Sequence, residues 1–146
     1  MTEKELWIEM EGIPAELASA RLLLSEPPAL KTNRPVPLTA KPDQVYVLPD
    51  GRLCPVESKT RRANRVFWSD MIQLGATAAV LRHAGHPALE GRVVAPHGYV
   101  RVVTGDTPSY WRVGLLSDPQ VALLWMQHFA RRHVDRGARV GPERLG

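Results

Sequence analysis

Two short runs rich in β-branched and aromatic residues, Gln44-Val45-Tyr46-Val47-Leu48 and Arg52-Leu53-Cys54-Pro55-Val56-Glu57-Ser58-Lys59, flank Pro49-Asp50-Gly51. Asp-Gly between strand-forming runs is a strong hairpin signal, because glycine takes up the positive φ that tight turns demand. The two runs are therefore expected side by side and antiparallel, and the rest of the chain has to pack around them. A three-residue loop at 49–51 pairs Leu48 with Arg52 and sets Asp43 directly opposite Glu57. A two-residue loop moves the pairing by one and spoils that opposition unless a bulge restores it. Pro55, with no N–H to give a ladder, is a place for such an irregularity. Alternation along the strand puts Glu57 and Lys59 on one face.

The register matters because of what these groups can do together. Magnesium is a hard cation that takes oxygen ligands, keeps several waters, and is usually held by one or two carboxylates plus a substrate phosphate. Asp43 and Glu57 offer such carboxylates. Lys59 can position or deprotonate an attacking water and offset charge on phosphoryl oxygens. Asp50 is a competing carboxylate after a proline, but it sits in the turn, too close to Glu57 along the chain to reach its face. The bland reading of the same residues is a hairpin whose charges face water.

After Lys59 come Thr60, Arg61, Arg62 and Arg65, then a helical stretch from about Asn64 to His83. Trp68, Met71, Ile72, Gly75, Ala76, Ala79 and Val80 recur at three- and four-residue spacing, which predicts a buried stripe. Arg82 and His83 in the last turn, with Gly85 just beyond, close the helix. Gln73 lies on the flank of the stripe. This order of parts, from Pro42-Asp43 through the hairpin, Glu57-Ser58-Lys59 and the basic segment to a helix bearing Gln73, resembles the PD-(D/E)xK nuclease superfamily. The run Asp70-Met71-Ile72-Gln73-Leu74-Gly75-Ala76-Thr77-Ala78-Ala79-Val80-Leu81 looks like the glutamine helix of its RecB/Cas4-like branch. The resemblance covers roughly residues 38–83, a third of the chain.

That resemblance implies a restriction-endonuclease-like core. It also implies Asp43 and Glu57 as metal ligands with the Ser58 carbonyl as a further one, Lys59 as the catalytic lysine, and Gln73 as catalytic support from the helix. In such relatives the first core helix often lends an acidic residue to the metal, and Glu16 is the candidate, with Glu9 and Glu11 behind it; solvent-facing glutamates favouring a helix N-terminus are the alternative. The family's glutamine motif continues to a tyrosine four residues on, where this chain has Thr77. Iron–sulfur members need four cysteines, and Cys54 alone cannot ligate a cluster, so none is expected. Arg61, Arg62 and Arg65 leave the catalytic strand where they can flank a scissile phosphate. Trp68 either packs in the core or stacks on a base.

Length and composition agree with one soluble domain over 1–146, with 137–146 as a flexible tail. The apolar fraction of 44% is ordinary for a globular chain. No apolar run approaches the roughly 20 residues that span a bilayer. The opening Met-Thr-Glu-Lys-Glu-Leu lacks the basic region and apolar core of a signal peptide. A lone Cys54 makes no disulfide framework and is expected in the core. A cytoplasmic setting follows. The net charge of +4 is uneven: residues 1–30 carry Glu3, Glu5, Glu9, Glu11, Glu16 and Glu26 against only Lys4 and Arg21, so the remainder is strongly basic. A basic body suits a phosphate backbone, though a merely solvated basic surface looks the same.

For the flanks, helices are expected over Glu3–Met10 and Ala15–Leu24, broken by Gly12-Ile13-Pro14, and residues 27–37 read as an extended proline-rich connector. Strands are expected over 92–95, 99–103 and 110–116. A last helix begins at Ser117-Asp118-Pro119 and runs to about Asp135, with Val121, Leu124, Trp125 and Phe129 as its apolar stripe. The five histidines are scattered and show no zinc pattern. The expected fold is α/β, a mixed sheet of about four or five strands flanked by helices. The expected function is a Mg2+- or Mn2+-dependent deoxyribonuclease acting on DNA through a metal-activated water. A helicase or recombination partner, or a homo-oligomer, fits the small size, and no membrane contact is expected. The alternative is a catalytically weak or inactive module of the same fold that binds nucleic acid or a protein. A third reading is a purely structural domain.

Overall fold

The Thr2 hydroxyl accepts from the Glu5 N–H at 3.1 Å while the Glu5 carboxylate accepts from the Thr2 N–H at 2.8 Å, so helix Glu3–Glu11 (α1) starts with a complete capping box. Gly12, left-handed at φ 67°, ends it. A single turn, Ala15–Ala18 (α2), leads into strand Arg21–Ser25 (β1) and a small hairpin, Leu30–Thr32 (β2) with Leu38–Ala40 (β3). Strands Gln44–Val47 (β4) and Leu53–Thr60 (β5) follow, then helix Trp68–His83 (α3), strands His97–Thr104 (β6) and Thr107–Gly114 (β7), and helix Asp118–Arg136 (α4). This computed structural model describes residues 2–136, with side chains to Gln127; the Phe129 side chain and the 137–146 segment lie outside the described residues.

The main sheet has five strands in the order β1-β4-β5-β6-β7. Only β5 and β6 run parallel, and α3 is the crossover that this requires. The central hairpin takes the three-residue loop: the Leu48 N–H donates to the Arg52 carbonyl at 2.8 Å, Gly51 sits at φ 89°, and Val47 pairs with Leu53 through to Gln44 with Val56. One residue further, this register sets Asp43 across from Glu57.

Each face of the sheet has its own core. On one, Leu53 packs with Ala79 and Val80 of α3, and Leu74 packs with Val100 and Val102. On the other, Cys54, Val56 and Tyr99 pack with Ile13 and Leu17 from the N-terminal segment. Helix α3 is more than a striped helix: Leu74 to Leu81 are all buried, because α4 and the β2–β3 hairpin cover the sides that the sheet leaves open. Gly75 permits this, since a Cβ there would sit 2.9 Å from the Leu116 side chain.

Several expectations need correction. The second helix stops at Ala18, and Arg21–Ser25 is a strand, because the free edge of β4 offers Leu22 and Leu24 a ladder that a short isolated helix cannot match. The proline-rich connector holds β2 and the turn to β3, which starts just beyond it at Leu38. Residues 92–95 make no strand; Val94 forms a single parallel bridge to Leu53. Helix α3 starts at Trp68 rather than near Asn64. Trp68 is 57% exposed and is therefore no core residue. Cys54 is fully buried as expected. Among the described residues no helix is long and apolar enough to cross a membrane.

Gly98 marks the tightest approach of β6 to β5: an added Cβ would lie 2.8 Å from the Pro55 carbonyl oxygen. Backbone cannot yield as a side chain can, so Gly98→Ala should cost about 1–3 kcal/mol. Thermal denaturation should show a Tm lowered by roughly 3–10 °C.

Candidate active site

Two strands and one helix deliver the central group. Asp43 ends the segment leading into β4, and its Oδ2 accepts from the Ser58 N–H of β5 at 2.8 Å. Glu57 and Lys59 project from the same face of β5 towards α3. There Gln73 uses both ends of its amide: Nε2 donates to Glu57 Oε1 at 2.9 Å, and Oε1 accepts from Lys59 Nζ at 2.8 Å. Lys59 Nζ stands 3.9 Å from the same Glu57 oxygen. Asp43, Glu57, Lys59 and Gln73 thus meet in one connected group, as the three-residue register requires. Ser58 joins it through its own backbone.

Glu57 is 5% exposed, and its pKa is pushed up to about 7. Burial is the main cause, since a desolvated carboxylate resists ionising, and the neighbouring Asp43 carboxylate adds like-charge repulsion that Lys59 only partly offsets. Two adjacent oxygen donors whose charges repel are a donor set that suits a hard divalent cation, which needs only one or two carboxylates. Among the described residues no group of three or more His, Cys, Asp or Glu side chains is gathered into a cage.

Asp43 and Ser58 also border a cleft of about 520 Å³ that Trp7, Glu11, Glu26 and Arg101 line with them. Glu11 is therefore the helix glutamate that reaches this cleft, where Arg101 Nε and the Tyr110 hydroxyl donate to its carboxylate. The structure does not bring Glu16 there. Its carboxylate accepts from the Tyr99 hydroxyl and meets His97 Nε2 at 2.6 Å, neighbours that belong with the second core. The reason is the short α2, whose single turn carries Glu16 towards the start of β6.

The arginines divide. Arg61 is bound to Asp70 through two bonds of 2.5 and 2.6 Å, and Asp70 is itself 1% exposed and accepts from the Phe67 N–H. Arg61 is therefore a structural clamp, not an open phosphate contact. Arg62 and Arg65 are exposed, with the Arg65 guanidinium 4.4 Å from the Phe67 ring centre. Sequence reasoning missed Trp111 on β7, which is 41% exposed; its indole N–H donates to Asn64 in the same basic segment at 2.7 Å. Its alternation within β7 carried no functional signal. The buried Cys54 thiol is pushed up to about 12, chiefly by desolvation and then by the Glu16 charge, so it is no nucleophile at neutral pH.

No family model and no curated protein matches the chain. Among solved structures, the one described as "Crystal structure of SSO0001" is similar at 12% identity and a TM-score of 0.47, over 90% of this chain and 54% of that one. The chain thus spans about half the length of that structure.

The raised Glu57 pKa has a consequence for stability. Folding retains a proton that the unfolded chain releases above the ordinary glutamate value of 4.5. Stability from this group is therefore full below about 4.5 and is lost as pH rises through about 7. In EDTA, Tm should fall between pH 5 and pH 8. Glu57→Gln should flatten that decline and raise stability at pH 8 by on the order of 3 kcal/mol, read from denaturation curves at both pH values.

Proposed function

We propose that this protein is a Mg2+- or Mn2+-dependent deoxyribonuclease of the PD-(D/E)xK kind that hydrolyses DNA phosphodiester bonds. The observation that carries the reading is the group of Asp43, Glu57, Lys59 and Gln73 at the open end of the β4–β5 hairpin. Asp43 and Glu57 would hold the cation, with the Ser58 carbonyl as a further ligand. Once bound, the cation would lower the pKa of a water and neutralise phosphate charge.

The chain's own residues do the rest. The Ser58 N–H pins the Asp43 carboxylate, so the pair is preorganised before substrate arrives. Gln73 fixes the Lys59 ammonium beside Glu57, where it orients the attacking water and donates to a phosphoryl oxygen as charge develops. Arg62, Arg65 and the exposed faces of Trp68 and Trp111 surround the entry to α3 with positive charge and aromatic surface, a combination suited to a nucleic-acid strand. A cytoplasmic location goes with a DNA substrate. The second reading is a binding module with weak or no cleavage; the engagement of Lys59 by Gln73, which occupies one of its three donors, is the observation that favours it.

Purified protein with magnesium or manganese should cut DNA, and EDTA should stop it. Asp43→Ala should remove both manganese binding and cleavage. Lys59→Ala should slow cleavage by about 10² to 10⁴-fold while keeping metal and DNA binding, because the lysine acts on the developing charge rather than on the ground state. If wild type and Lys59→Ala are equally inert on single-stranded, duplex and branched DNA, the binding module is the better account.

The arginines give a separate check. Replacing Arg62 and Arg65 by alanine should weaken DNA binding and lower the salt slope by about 2, one per lost phosphate contact. Arg61→Ala should instead leave Asp70 buried without its partner and destabilise the fold by about 3 kcal/mol. A fluorescence anisotropy titration over salt and a melting curve separate the two effects.

A further inference from the structure

A second concavity, of about 680 Å³, adjoins the site on the other side of Lys59 and Gln73 and does not include Asp43. It runs between the end of β3 and the first turns of α3. Ser69, Ile72, Gln73 and Ala76 line the helical wall at the spacing of one helix face, and Thr39, Ala40 and Lys41 form the wall opposite. The small side chains at 40, 76 and 77 keep it open.

Its charges are unbalanced. Arg61 and Asp70 neutralise each other in their two-bond pair. Lys59 faces Glu57 at 3.9 Å, which leaves the ammonium of Lys41, exposed and in no ion pair among the described residues. The groove therefore offers positive charge at its lip and an interior in which Ala40, Ile72 and Ala76 alternate with the hydroxyls of Thr39, Ser69 and Thr77. An anion joined to a flat, mostly apolar body with polar edges matches that lining. The volume lies within the roughly 300–1,000 Å³ usual for sites that enclose a small molecule.

We propose that this groove seats one unpaired nucleobase of the DNA strand beside the scissile phosphate, with the adjoining phosphate on Lys41. The identity of the strand rests on the nuclease reading, since the groove shares Lys59 and Gln73 with that site. A base within a duplex is stacked and paired and must be extruded before it enters, so occupancy of the groove favours a single strand over a duplex.

The test is metal-free binding, measured in EDTA by anisotropy with fluorescein-labelled dT12 and with its duplex on dA12. Ile72→Glu places a carboxylate in the half-buried wall, and should weaken dT12 binding about tenfold while changing duplex binding less than twofold. Lys41→Glu, at an exposed position, should weaken dT12 binding at least threefold. Unchanged dT12 affinity in the folded Lys41→Glu variant, equal losses on both probes, or no binding of dT12 by wild type would each overturn the inference. Cleavage in magnesium is scored separately. A wild type that binds dT12 through the groove without cutting keeps the groove and removes the nuclease reading, whereas a wild type that cuts while Ile72→Glu cuts and binds dT12 equally well does the reverse.

Discussion

The bond from the Leu48 N–H to the Arg52 carbonyl closes the central hairpin, and the register it sets reaches the far end of both strands. Side chains on a strand alternate with a period of two, so a slip of one residue would turn Glu57 and Lys59 away from α3 and bring Ser58 into their place. Gly51 at φ 89° supplies the turn conformation that holds the register. Everything at the site follows from this. Asp43 meets the Ser58 N–H, Glu57 and Lys59 meet Gln73, and the two carboxylates come close enough for their charges to interact.

A buried carboxylate next to a second one is unfavourable by itself, and the surroundings show how it is tolerated. Gln73 gives Glu57 a donor and Lys59 an acceptor with a single planar amide, so the buried carboxylate is not left unmatched. The proton that Glu57 keeps to about pH 7 relieves the remaining repulsion. Close by, the Arg61–Asp70 pair anchors the start of α3: Asp70 accepts from both Arg61 and the Phe67 N–H, which fixes where the helix begins. The helix can only then present Gln73 to the strand. Rigid elements on both sides therefore hold the group, β5 from the sheet and α3 from above.

The charge arrangement also has two sides. The cleft beyond Asp43 carries Glu11 and Glu26, with Arg101 committed to Glu11. The groove beyond Lys59 carries Lys41 and no uncompensated acid. The central hairpin contributes to both: Asp43 and Ser58 border the cleft, and Lys59 borders the groove.

Much of this was legible in the chain because it is local. Pro49-Asp50-Gly51 between two strand-forming runs determined the hairpin, its register placed Asp43 against Glu57, and the period of two put Lys59 with Glu57. The apolar run after Asp70 determined a buried helix with Gln73 on its flank, and the lone Cys54 read correctly as core. What only the tertiary structure decided depends on partners remote in sequence. The free edge of β4 made a strand of Arg21–Ser25 where three leucines suit a helix equally well. The placing of Glu16 beside His97 and Tyr99, of Glu11 in the cleft, and of Arg61 on Asp70 depended on which opposite charge the fold carried within reach. Trp68 was left exposed although its spacing fits the buried stripe, and Trp111 came beside the basic segment only when β7 placed its indole against Asn64. Local geometry repeats with a period that a sequence displays, whereas ion pairs and exposure are set by neighbours that the sequence does not order.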